Sequence, residues 1–459
     1  MDSQHTREQL SRRQALRLLG AGAGMALIAA CGPSSSQGAA PAQPAGAGAP
    51  GQQQAPGQAQ QVSLRWFFWT GSEEERQFWE GMAADASKAI GNVDVKFETD
   101  SFTNYWTKLP TYAASGTVAD VLGLQSLRAA TFASRNLYQP LDDFIKADSS
   151  FDLNDFDKSI VDGLSYKGKL FALAYDFGPY VVFYNKTLFQ KAGVELPQTD
   201  WTWDQFLQTA KGLTRAIEGK QVAGLVSSNN FDRLVPWIFS NGGEYANEDF
   251  TKSQLSAPAT VEAIQWYADL LLKQKVEPEI SDPGNADADR DQFLAGRAGM
   301  YINGPWQFIN MRSKLKDEWD VTLVPKGKAG SVSQVAGSGF GVSSTTKYKD
   351  QAWQVVKYVT STEGLKKVAA AGRGFPGRKS AVEAFFHKDQ PPAHQDAIQA
   401  QLQTSRAYRT NPTWQEVVTQ LQRDLIDPIL LQGKSVPEAI QAAEPNFQAL
   451  IDKGLQQQG

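Results

Sequence analysis

Residues 293–306 read FLAGRAGMYINGPW and carry the one side chain whose setting most suggests ligand chemistry. A small-residue helix end leads into a short apolar strand at Met300-Tyr301-Ile302. The turn Asn303-Gly304-Pro305 then delivers Trp306 beyond the strand. Ligands in α/β sheets sit at strand ends, and an indole there offers a flat apolar face with one N–H handle. The plain alternative is that Trp306 fills a core, which composition by itself favours.

Other patterns that resemble chemistry fail on their details. Residues 372–377, GRGFPG, satisfy GxGxxG but follow a helical pattern rather than a strand and contain Pro376, which excludes a dinucleotide loop. Gly433-Lys434-Ser435 mimics the end of a phosphate-binding loop, yet Pro428 stands where that loop needs glycine. Residues 285–291, NADADRD, alternate like a calcium loop but have Arg290 at the turn-glycine position and no terminal glutamate. They read as a solvated loop capping the next helix. There is no HExxH and no GxSxG, and the three histidines (His5, His387, His394) lack metal-type spacing. No metal and no cofactor is expected. The formal charge of −4 without a long basic run argues against nucleic acid, and the 12 tryptophans favour apolar or sugar-like faces.

The first thirty residues read as an export signal. SRRQALR at 11–17 precedes LLGAGAGMALIAA at 18–30, an apolar run of about 13 residues, too short to span a bilayer. Arg12-Arg13 matches a twin-arginine signal. The run ends Ile28-Ala29-Ala30-Cys31, which resembles a bacterial lipobox whose cysteine is diacylated, and Cys31 is the only cysteine in the chain. Residues 32–61 hold no aromatic, no branched aliphatic and no charge, so a disordered tether with a reach of roughly 30 Å is expected.

The 459 residues exceed what one core organises, so two lobes are expected. Strand signals at 62–70, 93–98, 120–124, 180–184, 321–325 and 335–343 alternate with helix signals, the pattern of doubly wound α/β lobes. Helices are predicted over 105–114, from Asp204, over 231–243, 257–274 with Ser256 as cap, 350–371, 411–431 and 436–455. Ser72-Glu73-Glu74-Glu75 reads as a capping box opening a further helix. Lys167-Gly168-Lys169 reads as a hairpin turn, and 175–179, YDFGP, as a crossing between lobes.

An ordered set of fragments runs across nearly all of 62–457. It runs through Ala119-Asp120-Val121, Leu137-Tyr138-Gln139-Pro140-Leu141, Tyr166-Lys167-Gly168-Lys169, Tyr184-Asn185-Lys186 and Phe189-Gln190-Lys191-Ala192-Gly193. Trp203-Asp204, Asn241-Gly242-Gly243, Gly296-Arg297-Ala298-Gly299-Met300, Asn303-Gly304-Pro305-Trp306, Gly339-Phe340-Gly341-Val342 and Thr360-Ser361-Thr362-Glu363-Gly364 follow. In this order they resemble the extracellular solute-binding receptors of ABC importers, in the sugar-binding family that includes maltose-binding protein. The resemblance implies a type II periplasmic binding protein-like α/β fold, each lobe a sheet flanked by helices, with several chain crossings. It places lobe one at about 62–174 and 336–373, and lobe two at about 178–330 and 376–457. Hinge closure around a ligand, read by a permease, is the mechanism it implies.

Carried over position by position, the resemblance puts Trp69, Thr70, Gly71, Gln125, Ser126, Asp176, Phe177, Asp232, Arg233, Trp237, Trp306, Ser338, Arg373 and Trp414 at the cleft. Trp69, Trp306 and Trp414 would stack on sugar faces, while Gln125, Asp176, Asp232 and Arg233 would bond hydroxyls. The chain departs from the maltose receptor at Leu124, where that protein has an aromatic. The expected function is a lipid-tethered, monomeric, non-catalytic receptor that delivers a sugar to ABC permease subunits. A receptor for a non-sugar solute, such as a glycerol phosphate ester, polyol or polyamine, is the alternative. An extracellular carbohydrate-active enzyme using Asp176 and Asp232 stands behind both.

Overall fold

The computed structural model describes residues 61–278 and 287–458. The export signal, Cys31, the tether up to residue 60 and the first part of the calcium-like pattern lie outside the described residues. No helix among those described is long and apolar enough to cross a membrane.

Thirteen strands are described, and eleven of them form two sheets. β1 (Val62–Trp69), β2 (Val93–Asp100) and β3 (Val121–Gln125) are parallel, with β1 in the middle. β4 (Ser165–Tyr166) and β5 (Lys169–Leu170) are the short hairpin around Lys167-Gly168. β6 (Leu173–Pro179) pairs antiparallel with β12 (Gln334–Val342), which also pairs with β3 and, at its start, with β13 (Arg406–Ala407). The second sheet runs β11 (Trp319–Thr322), β7 (Val181–Asn185), β10 (Ala298–Asn303), β9 (Lys220–Val226), β8 (Arg215–Ile217).

The chain passes from the first sheet to the second between β6 and β7, with only Tyr180 between them. It returns between β11 and β12. A third connecting segment lies near Phe375, whose carbonyl accepts the Phe177 N–H at 3.0 Å. The Gly-rich pattern of β12 has a packing reason. A Cβ on Gly339 would lie 2.5 Å from the Leu173 carbonyl oxygen, and one on Gly341 2.3 Å from that of Phe171. Only bare backbone lets the crossing strand approach this closely.

Aromatic rings fill both cores. In the first, Trp66, Trp79, Tyr175 and Phe340 meet with centroids 4.8–5.7 Å apart. In the second, Trp414 packs among Tyr245, Phe250 and Tyr408.

Several expected elements change in detail. The single helix expected over 350–371 is two, Lys349–Val359 and Thr362–Ala370, because Ser361 takes extended backbone and caps the second through the Gly364 N–H. Ala257, not Ser256, is the cap of helix Pro258–Leu272, and the Ser256 hydroxyl instead bonds Glu444 at 3.1 Å. The helix expected over 411–431 starts at Trp414 and passes through a π-helical turn at Gln422–Ile426.

Candidate ligand-binding cleft

A cavity of about 170 Å³ lies between the two sheets, lined from both sides and from the connecting segment near Arg373. Trp306 reaches it by the turn after β10. Asn303 ends the strand and its Oδ1 accepts the Gly304 N–H at 2.9 Å, which tightens the turn. A Cβ on Gly304 would stand 2.1 Å from the indole carbon Cζ3, so the ring lies folded over a residue with no side chain. The indole is half-buried and meets the edge of Tyr180 at 5.7 Å.

The polar groups of the wall are held in place before any ligand arrives. Arg233, 9% exposed, lays its guanidinium 4.4 Å from the Tyr180 ring centroid and 3.8 Å from the Asp289 carboxylate. Among the described residues its Nε has no hydrogen-bond partner. Asp232 accepts from the Tyr408 hydroxyl at 2.9 Å, and its carbonyl accepts from Gln334 Nε2 at 2.7 Å. Asp176 accepts the Ser338 N–H at 2.9 Å. Burial pushes the Asp176 carboxyl up to about 7, against the pull of Arg373 and the Ser338 N–H. Arg373, 3% exposed, lies 3.8 Å from Asp176, 3.4 Å from Glu75 and 3.3 Å from the Tyr175 hydroxyl. Burial works against its charge, but Glu75, Tyr175 and Asp176 outweigh that and hold its pKa above the usual arginine value.

Nine of the residues singled out in the sequence line this cavity: Trp69, Gly71, Gln125, Asp176, Asp232, Arg233, Trp306, Ser338 and Arg373. Five do not. Thr70 bonds Thr99 at 2.9 Å. Ser126 and Phe177 line a separate, larger cavity of about 830 Å³ that adjoins the first at Leu127 and Ala336. Trp237 faces Trp203 and Phe206 in the second core, at 5.4 and 5.3 Å, because its helix Phe231–Ser240 is buried on nearly every side. Trp414 is 0% exposed within its own aromatic cluster. Trp69 lines the cavity with its ring packed against Phe102, Tyr105 and Trp106.

The wall also contains residues that sequence reasoning passed over, among them Glu75, Phe102, Tyr175, Tyr180, Asn303 and Gln307. Tyr180 and Asn303 were signalled, one directly following the YDFGP crossing and the other opening the turn to Trp306. Glu75 was hidden, because Ser72-x-x-Glu75 spells a helix cap.

Comparison with known proteins bears on what this cleft belongs to. The model of the family described as "Bacterial extracellular solute-binding protein" matches residues 70–366. A binding protein of Brucella abortus is 24% identical over 364 residues, 76% of this chain and 83% of the relative. The diacetylchitobiose binding protein DasA of Streptomyces coelicolor is 23% identical over 310 residues, 66% of this chain and 70% of the relative. An ABC substrate-binding protein of Listeria monocytogenes, solved in complex with cycloalternan, superposes with a TM-score of 0.77 at 25% identity, covering 86% of this chain and 99% of that one. The fold is thus the two-lobed α/β architecture of these receptors, and the family is one of solute binders rather than enzymes. The chain belongs to the bacterial extracellular solute-binding proteins.

Proposed function

We propose that this chain captures a carbohydrate between its two lobes and hands it to the permease of an ABC importer. The observation that carries the reading is the half-buried Trp306 indole beside buried donors and acceptors in one cavity. An indole face packs on the C–H face of a pyranose, while carboxylates and guanidiniums bond hydroxyls that would otherwise be buried unpaired. The ligands of two relatives, diacetylchitobiose and cycloalternan, are carbohydrates and support the same class. A phosphate ester is disfavoured, because Glu75, Asp176, Asp232 and Asp287 outnumber Arg233 and Arg373 on the wall. A polyamine is disfavoured by those two buried guanidiniums.

On this reading the nine cavity-lining residues contact ligand. The first lobe comprises 62–174 and 336–373, the second 178–330 and 376–457, and β6 straddles the boundary. The mature protein is a monomer held at the outer face of the cytoplasmic membrane by acylated Cys31, after export through the twin-arginine route, with residues 32–61 as its leash. A cavity of about 170 Å³ lies below the ~300–1,000 Å³ usual for drug-sized ligands, which suits a single sugar ring at this degree of closure.

A thermal-shift screen against monosaccharides, oligosaccharides and polyols tests the reading. Ligand at about 100 times its Kd adds about 2.7 kcal/mol of stability, so a hit raises the melting temperature clearly. No response to any saccharide contradicts it.

A further inference from the structure

Glu75 is the residue of the cleft whose sequence context and whose position disagree most. Three carboxylates open helix Glu73–Ile90. Glu73 pairs with Arg76 on the surface, and Glu74 lies 2.8 Å from Lys314. The Ser72 hydroxyl accepts the Glu75 N–H at 3.2 Å, as a cap should. The reciprocal half of a capping box, with the Glu75 carboxylate returning to the Ser72 N–H, is not formed. Instead the carboxylate turns inward, leaving the residue 5% exposed. It accepts the Gly71 N–H at 3.2 Å and Asn310 Nδ2 at 3.0 Å, and lies 3.4 Å from Arg373 Nε.

Those partners belong to three parts of the fold. Gly71 follows β1 of the first sheet, Asn310 is on helix Phe308–Lys314 after β10 of the second, and Arg373 is on the connecting segment. Asn310 Nδ2 also donates to Gln307 Oε1 at 2.9 Å, and Gln307 adjoins Trp306 on the cavity wall. A buried carboxylate costs several kcal/mol unless it is paired, and a helix cap could have been made at no such cost with the side chain in solvent. We propose that Glu75 is a positioning residue that clasps the two lobes: its charge seats Asn310, and through it the Gln307-Trp306 turn, against the first lobe and Arg373. Because the same carboxylate faces the cavity, ligand and closure act on one group. The inference rests on the solute-receptor reading but not on which solute is bound.

The test measures the distance between lobes in the full chain without ligand. Cysteines introduced at exposed positions Lys96→Cys and Lys220→Cys, in a Cys31→Ser background, carry a fluorescence energy-transfer pair. Glu75→Gln, which removes the charge and keeps the shape, should lower the ratio of compact to extended molecules about tenfold, the effect of losing one charge-assisted hydrogen bond. Asn310→Asp, which opposes two carboxylates, should lower it at least as far. Combining Glu75→Gln with Asn310→Asp exchanges amide and carboxylate and should recover part of the ratio lost in Asn310→Asp, short of the parental value because the donor to Gln307 Oε1 and the charge beside Arg373 are gone. Lys158→Ala, which breaks a surface pair made within the single first-lobe helix Lys158–Gly163, should leave it unchanged. Circular dichroism confirms that each variant is folded, and a Glu75→Gln variant that fails this check leaves the decision to Asn310→Asp and the exchanged pair. Unchanged distributions in the folded single variants, or an exchanged pair that behaves no better than Asn310→Asp, would overturn the proposal. The saccharide screen on the parental protein decides the receptor reading separately, so the two can fail independently.

Discussion

Trp306 and Trp414 look alike in the sequence, each an indole after a turn containing asparagine and proline, yet the fold gives them opposite work. Trp306 is half-buried over Gly304 at the cavity, whereas Trp414 is sealed in an aromatic core. Trp414→Ala should therefore cost about 3–5 kcal/mol of stability, read by denaturant unfolding, and leave the ligand affinity of the folded protein within about twofold. Gly304→Ala should do the reverse. Its new methyl occupies the place of the indole, so affinity falls while the unfolding midpoint moves little. Glu277 supplies a further test. It is 6% exposed, burial with the nearby Asp289 charge pushes its carboxyl up to about 8, and its Oε1 has no hydrogen-bond partner among the described residues. Its folded pKa thus exceeds the unfolded value of about 4.3, so the folded state holds the extra proton between these limits. Stability from this group is full below about pH 4 and is lost as pH rises through about 8. The melting temperature should fall between pH 5 and 8, and Glu277→Gln should lessen that slope, the rest coming from Asp176 and Asp287, which burial raises to about 7 and about 6. Glu73, Asp148 and Asp424, held at about 2 chiefly by hydrogen bonds from basic side chains, titrate below this window.

At the scale of elements, local signals were strong where the cause was local. Asn185 caps helix Lys186–Ala192 and Gly193 ends it in the left-handed conformation, as Asn-Lys and Ala-Gly spell out. The crossing at YDFGP and the Gly-rich β12 were also legible, and the structure supplies their shared reason in the close approach of β6 to β12. Gly339→Val should cost about 1–3 kcal/mol in denaturant unfolding through overpacking, since the Leu173 carbonyl is backbone and cannot swing aside. What the sequence hid depended on long-range partners. The Ser72-x-x-Glu75 pattern is true of the helix start and silent about Asn310, which lies 235 residues away. Trp237 was indistinguishable from a cleft indole because its helix is apolar on almost every face. The helix from Asp204, expected to run to Ile217, stops at Leu213; Arg215–Ile217 is strand β8, and both it and β9 (Lys220–Val226) begin on exposed, charged residues that hide the strand pattern.

At the scale of the whole molecule, two sheets joined by several crossing segments place one aromatic face and a set of prepaid polar contacts around a shared cavity. Family and fold were readable from ordered fragments. The ligand was not, because the nine cavity-lining residues come from seven separated stretches whose mutual geometry no local pattern encodes. The most direct test is calorimetric titration of the parental protein and of Trp306→Ala with glucose, mannitol, maltotriose and diacetylchitobiose. At least one saccharide should bind the parental protein with one-to-one stoichiometry. Trp306→Ala should weaken it by about 2 kcal/mol, roughly 30-fold in Kd. Absence of saccharide binding by the parental protein, or equal affinity in Trp306→Ala, would contradict capture of a carbohydrate against this indole.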